Sequence, residues 1–166
     1  WLFFHKTLGL LAESTAARMP AWAAMGLLIA STGALGALAF GRRAGLMAAL
    51  MVLFHPRIFH HGRLACFDIG ITAATVLCVY AYLRSLREWK WVLWCGVIWG
   101  FAIATKLNGF FLPVYFVAAW IATQLPRSLV VRGERGGLGL RLPSIPGAWS
   151  AMAILGPPIF LALWPG

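Results

Sequence analysis

The sequence predicts an all-α fold, a multi-pass bundle of about six transmembrane helices, and three observations carry that prediction. Apolar residues make up 61% of the chain and charged residues only 11%. Soluble domains have about 45–50% apolar and about 25% charged residues, so too little polar surface remains here to cover a water-facing domain. The mean hydropathy is +0.83. The apolar residues also fall into six runs separated by short polar segments, several of them close to the roughly 20 residues that cross a hydrocarbon core.

Residues 1–19 are amphipathic and read as an external surface segment, with Glu13 or Ser14 placed to start a structured turn. Residues 20–166 form the membrane domain. Its first run, 20–40, opens on Pro20, which suits a first helical position. Gly33 and Gly36 in that run offer a small surface to a neighbouring helix. The second run, 44–59, is short and carries Pro56 and Arg57 near its end. The third covers 64–83. The fourth, 91–105, contains Gly96 and Gly100 in a small-xxx-small pattern that permits close helix approach. The fifth covers 107–125. The sixth, 149–164, contains Pro157 and Pro158, where a kink or break is expected because proline lacks the helix donor and clashes with the preceding turn. Trp91, Trp94 and Trp164 lie where belt aromatics meet headgroups.

The basic residues report orientation. If the chain weaves through all six runs, Arg42, Arg43, Arg84, Arg87, Lys90, Arg127, Arg132, Arg135 and Arg141 share one side. Lys6, Arg18, Arg57, Arg63 and Lys106 share the other. The positive-inside rule places the larger group in the cytoplasm, with a cytoplasmic loop at about 126–147 and an external loop at about 55–67. The basic excess occurs in small groups between apolar runs and forms no stripe of the kind that grips nucleic acid. The loop arginines belong beside anionic lipid headgroups. Cys66, Cys78 and Cys95 have no metal-type spacing, and Cys78 and Cys95 read as small core residues.

The polar segment from His55 to Asp68 holds three of the four histidines and one of only four acidic residues. Ionisable groups at the mouth of a membrane helix are unfavourable, so they mark a candidate functional site. Asp68 is the first candidate. Thr72 and Thr75 follow it at i+4 and i+7 on one helical face, which should point into the bundle or a wet cavity. The alternative is a helix-start aspartate favoured by the macrodipole. Arg63 either pairs with Asp68, if Gly62 breaks the helix, or binds a phosphate in bidentate fashion. His60 and His61 are candidate metal ligands, phosphate donors or proton carriers. His61 is the better placed toward Asp68, and a divalent metal ion on Asp68 and His61 is a cofactor possibility, though short of ligands. His55 and Arg57 are placed to cap the second run. Lys106, followed by Asn108, either snorkels to the surface or reaches a phosphate there. The weave puts Lys106 on the same side as Asp68, so one pocket can collect both.

These residues resemble a known family. The stretch from Phe54-His55-Pro56-Arg57 through Asp68 is similar to the second external loop of GT-C membrane glycosyltransferases, in particular glycosyltransferase family 39, the protein O-mannosyltransferase-like and aminoarabinose-transferase-like enzymes. Trp99-Gly100-Phe101-Ala102-Ile103-Ala104-Thr105-Lys106-Leu107-Asn108-Gly109 resembles its Gly-rich helix ending in Thr-Lys. Ala17-Arg18-Met19-Pro20 resembles the Arg-x-Pro before its second membrane helix, and Gly41-Arg42-Arg43-Ala44-Gly45-Leu46 the following turn. The matches run in family order over about residues 15–125.

The resemblance implies an enzyme of a bacterial inner membrane. It would move a sugar, with inversion, from a polyprenyl-phosphate carrier to a protein, lipid or glycan acceptor on the external side. It implies Asp68 beside the donor phosphate or a metal and Arg63 as a phosphate partner; with His61, placed toward Asp68, these are the candidate catalytic residues. Arg57, His60, Lys106 and Asn108 would bind substrate. The family's principal acidic residue lies in an earlier loop that this sequence does not include. The chain, opening at Trp1, therefore reads as an interior piece that is inactive alone. A rival reading from the residues is a transporter or channel subunit with a polar path through Asp68, Thr72 and Thr75.

Overall fold

The computed structural model describes residues 9, 13–64, 66–128, 131–132, 138–139 and 144–164. Most of the first twelve residues and much of the loop at 126–147 therefore lie outside the described residues, and with them Lys6, Arg135 and Arg141. The described chain is mainly helical, with short connections and a two-residue antiparallel pairing of β1 (Val131–Arg132) with β2 (Leu138–Gly139).

The first helix, α1 (Glu13–Phe40), takes in Pro20 two turns from its start instead of beginning there. Gly41 then turns the chain at φ 91°, a conformation that glycine adopts without steric cost. Helix α2 (Arg42–Phe54) folds back along α1. A Cβ on Gly45 would lie 2.5 Å from the Gly33 carbonyl oxygen, and one on Gly36 would lie 3.1 Å from the Gly45 Cα. Only glycines allow this approach, as the small residues of the first run suggested.

The second apolar run is two helices and not one. Helix α2 ends at Phe54, His55 is extended, and α3 (Pro56–Gly62) begins with proline at its first position. The residue before a proline is pushed out of helical geometry, so Pro56 both ends one helix and starts the next. His55 caps the second of these, its Nδ1 accepting from the Ile58 N–H at 3.4 Å.

The third run forms α4 (Phe67–Ser85), and α5 (Lys90–Thr105) follows the fourth closely. The fifth run opens as a 3-10 turn, Leu107–Phe111, before α6 (Leu112–Ser128). Helix α7 (Gly147–Leu163) continues without a break through Pro157 and Pro158, against the expected interruption. Its packing explains why. Helix α7 lies parallel to α5, with a Cβ on Gly96 2.5 Å from the Ala151 carbonyl oxygen and one on Gly100 2.8 Å from Ile159. A Cβ on Gly156 would overlap the Trp99 ring. Neighbouring helices sustain prolines in membrane helices in this way.

The core sits between α4, α5 and α7, where Cys78, Ala81, Cys95, Ala102, Ala148 and Met152 are buried. Tyr82 of α4 stacks on Phe116 of α6 at 4.2 Å between ring centroids. The Trp99 indole N–H donates to the Gly109 carbonyl at 2.9 Å, tying α5 to the 3-10 turn that follows Lys106.

Three helical segments are long and apolar enough to cross a membrane: Ser14–Phe40, Phe67–Ser85 and Leu107–Gln124. Lys90–Thr105 and Gly147–Leu163 are shorter apolar helices. Large side chains such as Phe40, Met51, Phe54, Val114, Tyr115 and Leu161 face outward, as they do where the solvent is lipid. Helices α4 and α5 run antiparallel, with Gly70 beside Thr105 and Tyr80 against Trp91. The start of α1 lies beside the start of α4. Arg42, Arg43, Arg84, Arg87 and Lys90 therefore gather at one end of the bundle. Arg18, His61, Asp68 and Lys106 lie at the other.

Candidate functional site

The site is assembled where helices end. Gly62 closes α3 and is buried against α1, where a Cβ would lie 3.1 Å from Met25 Cγ. The chain then turns through Arg63 and Leu64, and Cys66 is extended just ahead of α4. Asp68 falls in the first turn of α4, where the unpaired backbone N–H groups favour a negative charge. On the neighbouring helix, α5 stops at Thr105 and Lys106 leaves it in extended backbone. Gly70 lets the two ends meet, since a Cβ there would lie 3.2 Å from Thr105 Cγ2.

The result is an ion pair across 38 positions of sequence, with Lys106 Nζ donating to Asp68 Oδ1 at 2.8 Å. The side chains are 45% and 59% exposed. A pair this open adds little to stability. It holds a lysine ammonium and a carboxylate in register at the mouth of the bundle, each with bonding capacity to spare. A lysine has three donors and a carboxylate two oxygens.

His61 is half-buried and turns toward this pair, while His60 is exposed and meets His61 edge-on at 5.9 Å. One ligand atom each from His61, Cys66 and Asp68 lie within 4.8 Å of one another. The Cys66 thiol donates to the His61 carbonyl at 3.5 Å. Sequence reasoning passed over Cys66. The turn after Gly62 brings it to His61, and only its position two residues before Asp68 hinted at this.

The other candidates are placed differently. The Arg63 guanidinium sits 5.9 Å over the Phe59 ring, and among the described residues it makes no ion pair with Asp68. Arg57 and Asn108 are exposed near the same end of the bundle, and among the described residues no hydrogen bond joins them to the Asp68–Lys106 pair. Of the Asp68–Thr72–Thr75 face, Asp68 and Thr72 are exposed and do not point into the bundle, while Thr75 is half-buried. The side of α4 with Ile69, Ala73 and Ala81 is buried, and Cys78 and Tyr82 are buried further along the helix, nearer the Thr75 side. The Thr72 hydroxyl is used within its own helix, donating to the Asp68 carbonyl at 2.6 Å.

Beside the ion pair lies an apolar groove of about 440 Å³. Ala17, Ala21 and Ala24 of α1 form one wall, and Phe67 and Gly70 of α4 with Thr105 of α5 form the other. The alanines recur at i, i+4 and i+7, one face of a helix, and that spacing was the available signal in the sequence. A charged mouth beside a smooth apolar slot suits an amphiphile with an anionic head.

The sequence model of the dolichyl-phosphate-mannose-protein mannosyltransferase family matches residues 6–143. The chain belongs to that family. No curated protein and no solved structure shows significant similarity to it. As a dolichyl-phosphate-mannose-protein mannosyltransferase family member, the chain is a membrane glycosyltransferase of the GT-C type. The match takes in α1 to α6 and every site residue described above, whereas α7 lies beyond it.

Proposed function

We propose that this chain is part of an enzyme that moves a sugar from a polyprenyl-phosphate carrier to a protein, lipid or glycan acceptor at the external face of a bacterial inner membrane. The observation that carries the reading is the Lys106–Asp68 pair at 2.8 Å beside the apolar groove. The groove takes the first units of the prenyl chain, and Lys106 takes the phosphate. In transfer with inversion, an acceptor oxygen attacks the anomeric carbon as the bond to the phosphate oxygen breaks. Negative charge grows on the departing phosphate, and a fixed ammonium there stabilises it. Asp68 orients Lys106 and keeps its charge at the mouth between turnovers. Arg63, His60 and Arg57, exposed at the same end of the bundle, would add positive or hydrogen-bonding surface for the phosphate and sugar.

The external placement is supported by the basic residues at the far end of the bundle, which the positive-inside rule favours on the cytoplasmic side. The experiment is transfer by the full-length protein carrying Asp68→Asn or Lys106→Met. Each is expected to lose about 100-fold in transfer, the scale of removing one preorganised donor from a developing charge, with membrane insertion intact. Transfer at the wild-type rate in both variants would remove the pair from the mechanism.

A further inference from the structure

We propose that His61, Cys66 and Asp68 form a zinc site with one open position. The inference starts from three side chains that the turn between α3 and α4 gathers at one point, with their ligand atoms within 4.8 Å of one another. They offer one imidazole nitrogen, one sulfur and one carboxylate oxygen. Magnesium and calcium take oxygen ligands almost exclusively, whereas mixed nitrogen and sulfur donors suit zinc. Cys66 is also unlike the other two cysteines, since Cys78 and Cys95 are buried in the core and Cys66 is half-exposed at the site.

The geometry is close to what zinc requires. Bonds of about 2.0–2.3 Å in a tetrahedron put neighbouring ligand atoms about 3.3–3.8 Å apart. The present separation closes to that by about 1 Å of side-chain rotation in partly exposed groups. The weak thiol contact to the His61 carbonyl, at 3.5 Å, is the one hydrogen bond given up. Lys106 does not block the site. It occupies Asp68 Oδ1, and the second carboxylate oxygen is left for the metal. The Cys66 thiol releases its proton to solvent on binding, as a ligating thiol must. Thiolate and carboxylate then balance the zinc charge, and Lys106 remains as the excess positive charge. Three protein ligands and a free fourth position are the pattern of catalytic zinc sites. That the fourth position faces a phosphate oxygen rests on the proposed transfer, whereas the metal site itself does not.

The test uses the full-length protein purified in detergent micelles, with zinc or cobalt(II) as the probe and alkylation read at Cys66. Zinc is expected to slow alkylation of Cys66 by more than about tenfold by occupying its thiolate, and a chelator to restore it. This readout needs no substitution. Cobalt(II) is expected to show a thiolate-to-cobalt charge-transfer band that Cys66→Ser abolishes. His61→Ala is expected to weaken cobalt binding by at least the 10–100-fold, roughly, that outer-shell changes cost metal sites. Alkylation at one rate with and without zinc, or a cobalt spectrum unchanged by Cys66→Ser, would overturn the proposal. Failure here with transfer still lost in full-length Asp68→Asn would refute the metal alone. Zinc binding with normal transfer in that variant would refute the proposed role of Asp68 and leave the metal site standing.

Discussion

The α5–α7 contact and the Asp68–Lys106 mouth are built on opposite principles. In the first, glycines let two helices interlock so tightly that a single methyl group has no room. Gly156 lies against the Trp99 ring, and Gly96 against the Ala151 backbone. In the second, charged side chains from two helix ends meet in the open, 45% and 59% exposed. The difference separates what holds the bundle together from what it presents. Burial and close packing set stability, while an exposed pair contributes little to it. Substitutions in the two regions should therefore fail in different assays.

The largest expected effect is at the mouth and is confined to transfer. Lys106→Met in the full-length protein should lower transfer about 100-fold with no change in the thermal unfolding midpoint. A matching fall in the midpoint would show that the pair is structural.

Next comes the packed contact. Gly156→Leu drives a side chain into Trp99 and should destabilise the bundle by about 1–3 kcal/mol, the usual range for overpacking. Unfolding in detergent by denaturant is the readout. An unchanged midpoint would mean that α7 can separate from α5 at no cost.

Trp99→Phe probes the connection between the two regions. It removes the indole N–H bond to the Gly109 carbonyl, worth about 1 kcal/mol. Because that bond anchors the turn after Lys106, transfer should fall by a few-fold alongside the modest loss of stability. Stability loss with transfer untouched would show that Lys106 is positioned without the turn.

The smallest effect is expected at the far end, where Arg84 in the last turn of α4 pairs with Glu88 in the connection that follows. Solvent-accessible surface pairs contribute about 0.2–1 kcal/mol and often nothing measurable, so Glu88→Gln should leave transfer unchanged and shift unfolding by less than about 1 kcal/mol.

Much of this contrast was legible in the sequence. Six apolar runs, alternating with basic groups, gave the helices and put Asp68 and Lys106 at one end of the bundle. Gly96 and Gly100 signalled a close contact, and it is the one with α7. What could not be read depended on tertiary partners. The continuity of α7 through Pro157 and Pro158 rests on Trp99 and Gly100 of α5 beneath it, which no local rule contains. The burial of α4 on its Ile69–Ala73 side, which leaves Thr72 outside, was set by which helices flank it. Cys66 reached the site through the path of four residues after Gly62, and spacing rules for metal ligands do not describe such a turn. The division of the second run at His55 was the exception, since Pro56 stood in plain view and its effect on the preceding residue is local.

The account depends most on Asp68 and Lys106 acting as one unit on the donor. Transfer by full-length Asp68→Asn, Lys106→Met and the double variant forms a double-mutant cycle that measures this. The double variant is expected to be no slower than the slower single variant. Losses that simply multiply would mean two independent residues, and would contradict a shared site.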